Sequence, residues 1–128
     1  MVRKFPAIIF IVCACVASSC GRGARLPEDL SRAESLLDSR PDSSLIILDS
    51  ASYSESSGRY LYASYCLLRT FAEYNAYKPG IDEGVMNVGV DYFLKYGNRD
   101  RKAQAYYLRA VVREDNKSGN QADWANDL

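Results

Sequence analysis

The chain has 128 residues, enough for one modest core and too few for several independent domains. Its 16 Lys and Arg are matched by 16 Asp and Glu, which disfavours nucleic-acid binding through a basic surface, and it contains no histidine, so the commonest metal ligand and near-neutral acid–base group is missing. With 48% apolar residues and ten tyrosines, the composition is that of a folded body and not of a disordered chain.

Residues 1–20, MVRKFPAIIFIVCACVASSC, place Arg3 and Lys4 before an apolar run from Phe5 to Ala17, followed by small residues and a cysteine. This is the three-part build of a secretory signal peptide. A membrane-spanning helix needs roughly 20 apolar residues, and this run is too short. Ala17-Ser18-Ser19-Cys20 resembles the lipobox of bacterial lipoproteins, with Ala17 standing where leucine is commonest. The resemblance implies removal of residues 1–19 and acylation of Cys20; ordinary secretory cleavage near Ser18 or Ser19 is the alternative. Several acyl chains, palmitate among them, on one residue would give stable membrane attachment. Processing would leave 14 basic residues against 16 acidic ones, because Arg3 and Lys4 are lost. Cys66 would then be the last free cysteine, and its place between Tyr65 and Leu67 marks it as a small core residue.

Residues 20–25 read as the lipidated cysteine and a short glycine-rich tether, and residues 26–128 as one helical domain. Leu26, Leu30, Ala33 and Leu37 share one face of a first helix, predicted from Pro27 to Ser39. Pro41 ends it, and Asp42-Ser43-Ser44 supplies capping side chains for a short second helix whose apolar centre, Leu45 to Leu48, predicts burial. A serine-rich break, Ser50 to Gly58, precedes a third helix over Arg59–Tyr77 with Leu61, Tyr65, Leu68 and Ala72 in register. A fourth, over Asp82–Tyr96, carries Val85, Val88, Tyr92 and Tyr96 along one side, and its Gly84 and Gly89 suggest close helix approach. A fifth spans Arg99–Asn116, and Asn120–Leu128 could begin a sixth. No strand-period segment competes, so the fold is expected to be all-α, with five to six helices as antiparallel hairpins.

The run Leu36 to Leu45 with Leu48-Asp49-Ser50 resembles the opening of tetratricopeptide-repeat lipoproteins of anaerobic Gram-negative bacteria. Ala63 to Leu68, Val90 to Phe93 with Gly97-Asn98, and Lys102 to Tyr107 resemble later helices of the same family, over Leu26 to Asp115 in all. In the repeat pattern Tyr106 takes the large aromatic position, and Ala110 and Ala122 take the small ones. Arg109, Arg113 and Asn126 depart from it. Family members are usually longer. A short chain of this kind is expected to be a truncated relative, to use its polar C-terminus as a cap, or to have its open apolar end covered by a partner.

No phosphate-binding glycine loop and no metal-ligand cluster is legible, and Asp82-Glu83 and Glu114-Asp115 read as solvated charge at helix ends. No enzyme activity and no cofactor is therefore expected. Tyr65, Tyr92, Tyr106 and Tyr107 are the candidate interaction residues, either lining a groove or packing between helices. The leading functional expectation is a lipid-anchored scaffold for an unidentified protein partner in the cell envelope. Arg22 and Arg25 after Cys20, without an acidic run, favour a periplasmic face. The alternative is a carbohydrate- or peptide-binding surface lipoprotein of a nutrient-uptake system.

Overall fold

The structure, a computed structural model, describes residues 25–126 and the side chains up to 119. The segment read as a signal peptide and Cys20 lie outside the described residues, as do the side chains of Ala122 and Asn126. The described chain is all-α, with helices α1 Glu28–Ser35, α2 Pro41–Ser50, α3 Arg59–Asn75, α4 Glu83–Tyr96 and α5 Arg99–Asn126, and a 3-10 turn at Glu55–Ser57. Sequential helices pack as hairpins. In addition α1 touches α3 and α3 touches α5, so these three form one row while α2 and α4 lie on the other.

Two apolar clusters hold the stack. Leu30 and Ala33 of α1 meet Leu45 and Leu48 of α2 against Leu68 and Ala72 of α3. Ala63 and Leu67 of α3 pack instead with Met86, Val90 and Phe93 of α4 and with Ala105, Leu108 and Val112 of α5. Thus α3 contributes one face to each cluster, and Cys66 is buried on it. Burial raises the Cys66 thiol pKa, against the lowering effect of a hydrogen bond from Tyr62 and of the nearby Arg69, which disfavours the nucleophilic thiolate.

The helix ends explain where the expected boundaries moved. Helix α1 stops at Ser35, before the predicted Ser39, and a turn carries Leu37 back onto the first cluster. Asp42-Ser43-Ser44 does not cap α2, which starts at Pro41, a residue suited to the first helical position because it has no N–H to leave unpaired. Ser44 is buried and donates to the Ala33 carbonyl at 2.8 Å, pinning α2 to α1. The apolar centre of α2 is only half covered, since Ile46 is 67% exposed. Asp82 caps α4 by accepting from the N–H groups of Gly84 at 2.7 Å and Val85 at 3.3 Å. Asn98 does the same for α5, accepting from Arg101 N at 2.9 Å.

Helix α3 ends two residues before the predicted Tyr77. Lys78 N donates to Glu73 O at 2.9 Å and Tyr77 N to Tyr74 O at 3.1 Å, the paired bonds of a Schellman cap. The motif places Tyr77 in the left-handed region, at φ 56°, where glycine is the ordinary occupant. Because the Tyr77 ring is almost wholly exposed, Tyr77→Gly should stabilise the protein by about 0.5–1 kcal/mol, read as a higher midpoint in urea unfolding with unchanged slope.

Tyr53, in the segment between α2 and α3, donates to Asp29 Oδ1 at 2.8 Å and lies 5.8 Å from the Tyr65 ring. Burial first, and then the hydrogen bond and charge of Asp29, push its phenol pKa up to about 12 from 10.0. The folded state therefore favours the protonated phenol. This contribution is fully present below pH 10 and is lost as pH rises through 10 towards 12. Asp29→Asn should bring the last tyrosine to ionise back towards the ordinary value, as followed by phenolate absorbance during alkaline titration.

The core side of α4 carries Met86, Gly89, Val90 and Phe93, whereas Val88 and Tyr96 of the side that holds Val85, Val88, Tyr92 and Tyr96 are exposed. One expectation for α5 is corrected. The predicted fifth and sixth helices are one helix, which runs through Gly119 to Asn126, so Glu114 and Asp115 lie mid-helix and not at an end. Positions 106, 110 and 122 of the expected repeat accordingly fall on a single helix instead of on two packed ones.

Candidate interaction surface

The four candidate tyrosines fall on three separate places. Tyr65 is half-buried in the first cluster, with its hydroxyl accepting from Arg69 Nη1 at 3.1 Å. The same guanidinium reaches Asp49 at 2.7 Å and Glu73 at 3.2 Å, tying α2 to α3. Burial opposes the Arg69 charge, but its bonds to Asp49 and Tyr65 outweigh that, and its pKa is raised. Glu73 is pushed up by burial, against the pull of Arg69. These groups are interhelix fastenings, and Tyr65 is one of them.

Tyr92 belongs to an aromatic row on the α3–α4 surface. Its ring centroid lies 6.4 Å from Tyr60, 5.1 Å from Phe93 and 5.1 Å from Tyr96. Lys95 Nζ lies 5.3 Å from the exposed Tyr96 ring and the Arg59 guanidinium 5.8 Å from it. Open grooves of about 480 Å³ and 690 Å³ adjoin this row, and Tyr92 and Tyr96 line both. One groove adds Glu55, Arg59, Tyr62 and Asp91; the other adds Glu34, Asn98 and Arg101. Arg101 is occupied structurally, ion-paired to Glu34 at 2.6 Å and 5.8 Å from the Phe93 ring.

Tyr106 and Tyr107, 60% and 56% exposed, sit on the outer side of α5 with Ala103 and Ala110. The opposite side, Ala105, Leu108 and Val112, is wholly buried. Among the described residues no helix follows α5 to pack on its outer side as α2 does on α1 and α4 on α3. The two arginines that break the repeat pattern are used laterally: Arg109 approaches Asp91 at 3.9 Å and lies 5.7 Å from the Tyr106 ring, and Arg113 approaches Glu83 at 3.7 Å. Tyr74 of α3 stands beside Tyr107; burial first, then Tyr107 and Asp115, raise its pKa. Tyr106 and Tyr107 thus have neighbours within the chain, Arg109 over the Tyr106 ring and Tyr74 beside Tyr107, yet more than half of each remains exposed.

Sequence periodicity places Tyr96 beside Tyr92 on one side of α4, but it has no means of selecting Tyr60, which meets Tyr92 across α3 and α4. No set of three or more Cys, Asp or Glu side chains that could hold a metal ion occurs among the described residues, and no described helix is long and apolar enough to cross a membrane. No protein family, curated protein or solved structure matches this chain.

Proposed function

We propose that this chain is a lipid-anchored envelope scaffold, attached through Cys20, whose tetratricopeptide-like helical body binds protein through the outer side of α5. The observation that carries the reading is the exposed pair Tyr106 and Tyr107 beside the exposed Ala103 and Ala110 on one side of α5. Aromatic side chains with small neighbours on a rigid helix give contact area at little ordering cost. The lipobox-like Ala17 to Cys20, after a basic and then apolar N-terminal run, supports the anchor.

Intact mass and membrane fractionation of the wild type beside Cys20→Ala test the anchor. The wild type is expected to begin at an acylated Cys20 and to remain with membranes, and the variant to be released. Wild-type protein in the soluble fraction without acyl mass would overturn it. The alternative of a carbohydrate- or peptide-capturing lipoprotein is favoured by one observation, the aromatic row with Tyr92 and Tyr96 lining both grooves. Oligosaccharide retention by intact cells, lost in Tyr96→Ala, would establish that reading in place of the scaffold.

A further inference from the structure

Helix α5 carries a second seam besides the one it buries. Asp100, Ala103, Tyr107, Ala110, Glu114 and Lys117 follow one another at alternating steps of three and four residues, the spacing of a coiled-coil stripe. All six are exposed. The order of residue types along this seam is complementary to itself when reversed about its midpoint.

Resting on the α5 reading above, we infer that the partner is a second copy of this chain, its α5 packed antiparallel on the first about a two-fold axis between Leu108 and Arg109. In this register the large Tyr107 meets the small Ala110 of the partner subunit, and Asp100 meets Lys117 of the partner subunit, each contact occurring twice. Glu114 falls opposite Ala103 of the partner subunit, whose small side chain leaves it room to reach solvent. Beside the seam, Tyr106 lies next to Arg113 of the partner subunit, a cation over an aromatic face. A parallel pair would instead set Tyr107 on Tyr107, Asp100 on Asp100 and Glu114 on Glu114. Packing and charge therefore both select the antiparallel form. An unrelated partner imposes no such symmetry on the seam, whereas a two-fold contact requires one patch to complement itself.

The test uses the full chain. Asp100→Lys and Lys117→Asp should each weaken the dimer about fivefold in sedimentation equilibrium, since each breaks two ion pairs and sets like charges together. The double exchange should restore wild-type affinity, which a loss of helix stability would not allow. Orientation is read by cross-linking against a wild-type background. Ala103→Cys and Glu114→Cys chains should link when mixed but not alone, because identical positions in the antiparallel pair are 11 residues apart along the helix, about 16 Å and beyond disulfide reach. Links from either variant alone, or a double exchange as weak as the single ones, would overturn the arrangement. A photo-reactive phenylalanine analogue at Tyr106 in whole envelopes separates this inference from the scaffold reading. Cross-linking to the chain itself supports both; cross-linking only to a different protein overturns the second copy and keeps the scaffold; no protein adduct at all overturns both.

Discussion

Gly89→Ala is expected to destabilise the protein by about 2 kcal/mol, although alanine is the better helix former by about 1 kcal/mol. A Cβ at Gly89 would stand 2.7 Å from Leu67 N, 3.0 Å from Leu67 Cα and 3.0 Å from Ala63 O. Those are backbone atoms of α3, fixed by their own helix and by the clusters on both its faces, so α4 has to move away as a body. Gly89→Val, with more volume at the same place, should cost about 3 kcal/mol or more. Gly84 is the internal control. Its nearest obstacle is the end of the Asp82 side chain at 3.0 Å, which can adjust while keeping the cap, and Gly84→Ala should stay within about 0.5 kcal/mol of wild type. Urea unfolding of the three variants checks the series; a neutral Gly89→Ala would mean that α3 and α4 are not in contact at this point.

Leu108→Ala is expected to cost about 3 kcal/mol, whereas Tyr107→Ala, one residue away, should change stability by less than about 0.5 kcal/mol. Leu108 is 0% exposed between α3, α4 and α5, so truncation leaves a cavity that backbone neighbours cannot fill. Tyr107 is more than half exposed, and its contact with Tyr74 is a side-chain hydrogen bond at the surface. The comparison is to be made at dilution low enough to keep the chain monomeric, because loss of a partner also lowers apparent stability. Equal costs at the two positions would show that α5 is rotated and that its outer seam is already in use inside the chain.

These two helices also mark the limit of what was legible in the sequence. The all-α class, the hairpin connections and the buried face of α1 follow from spacing and from Pro and Gly punctuation, and the structure has them. The core face of α4 is hard to read from apolar periodicity because its close-contact residue is Gly89, which adds nothing to such a stripe, although as a glycine it does signal the close helix approach that the structure has. In α5 there are two apolar stripes, Ala105-Leu108-Val112 and Ala103-Tyr107-Ala110, and periodicity cannot say which meets the core; the first is the one that packs. Asn116 was read as the end of a helix, but its side chain donates to Ile81 O at 3.1 Å and to Glu83 at 3.2 Å, fastening a continuing α5 to the start of α4. Of the candidate surface, the tyrosines were identifiable by type, while their division into a fastening, a groove wall and an open helix face depends on contacts between distant segments.

The double use of α3 has a mechanical consequence. Tension applied from the N-terminal side enters at α1, which reaches the rest of the body through α2, through the Leu68 and Ala72 side of α3 and through the Glu34–Arg101 ion pair. The second cluster makes no use of α1 or α2. A pull at the N-terminal end would therefore peel the α1–α2 hairpin as one unit and leave α3, α4 and α5 assembled, so the body would yield in two stages, the N-terminal one first.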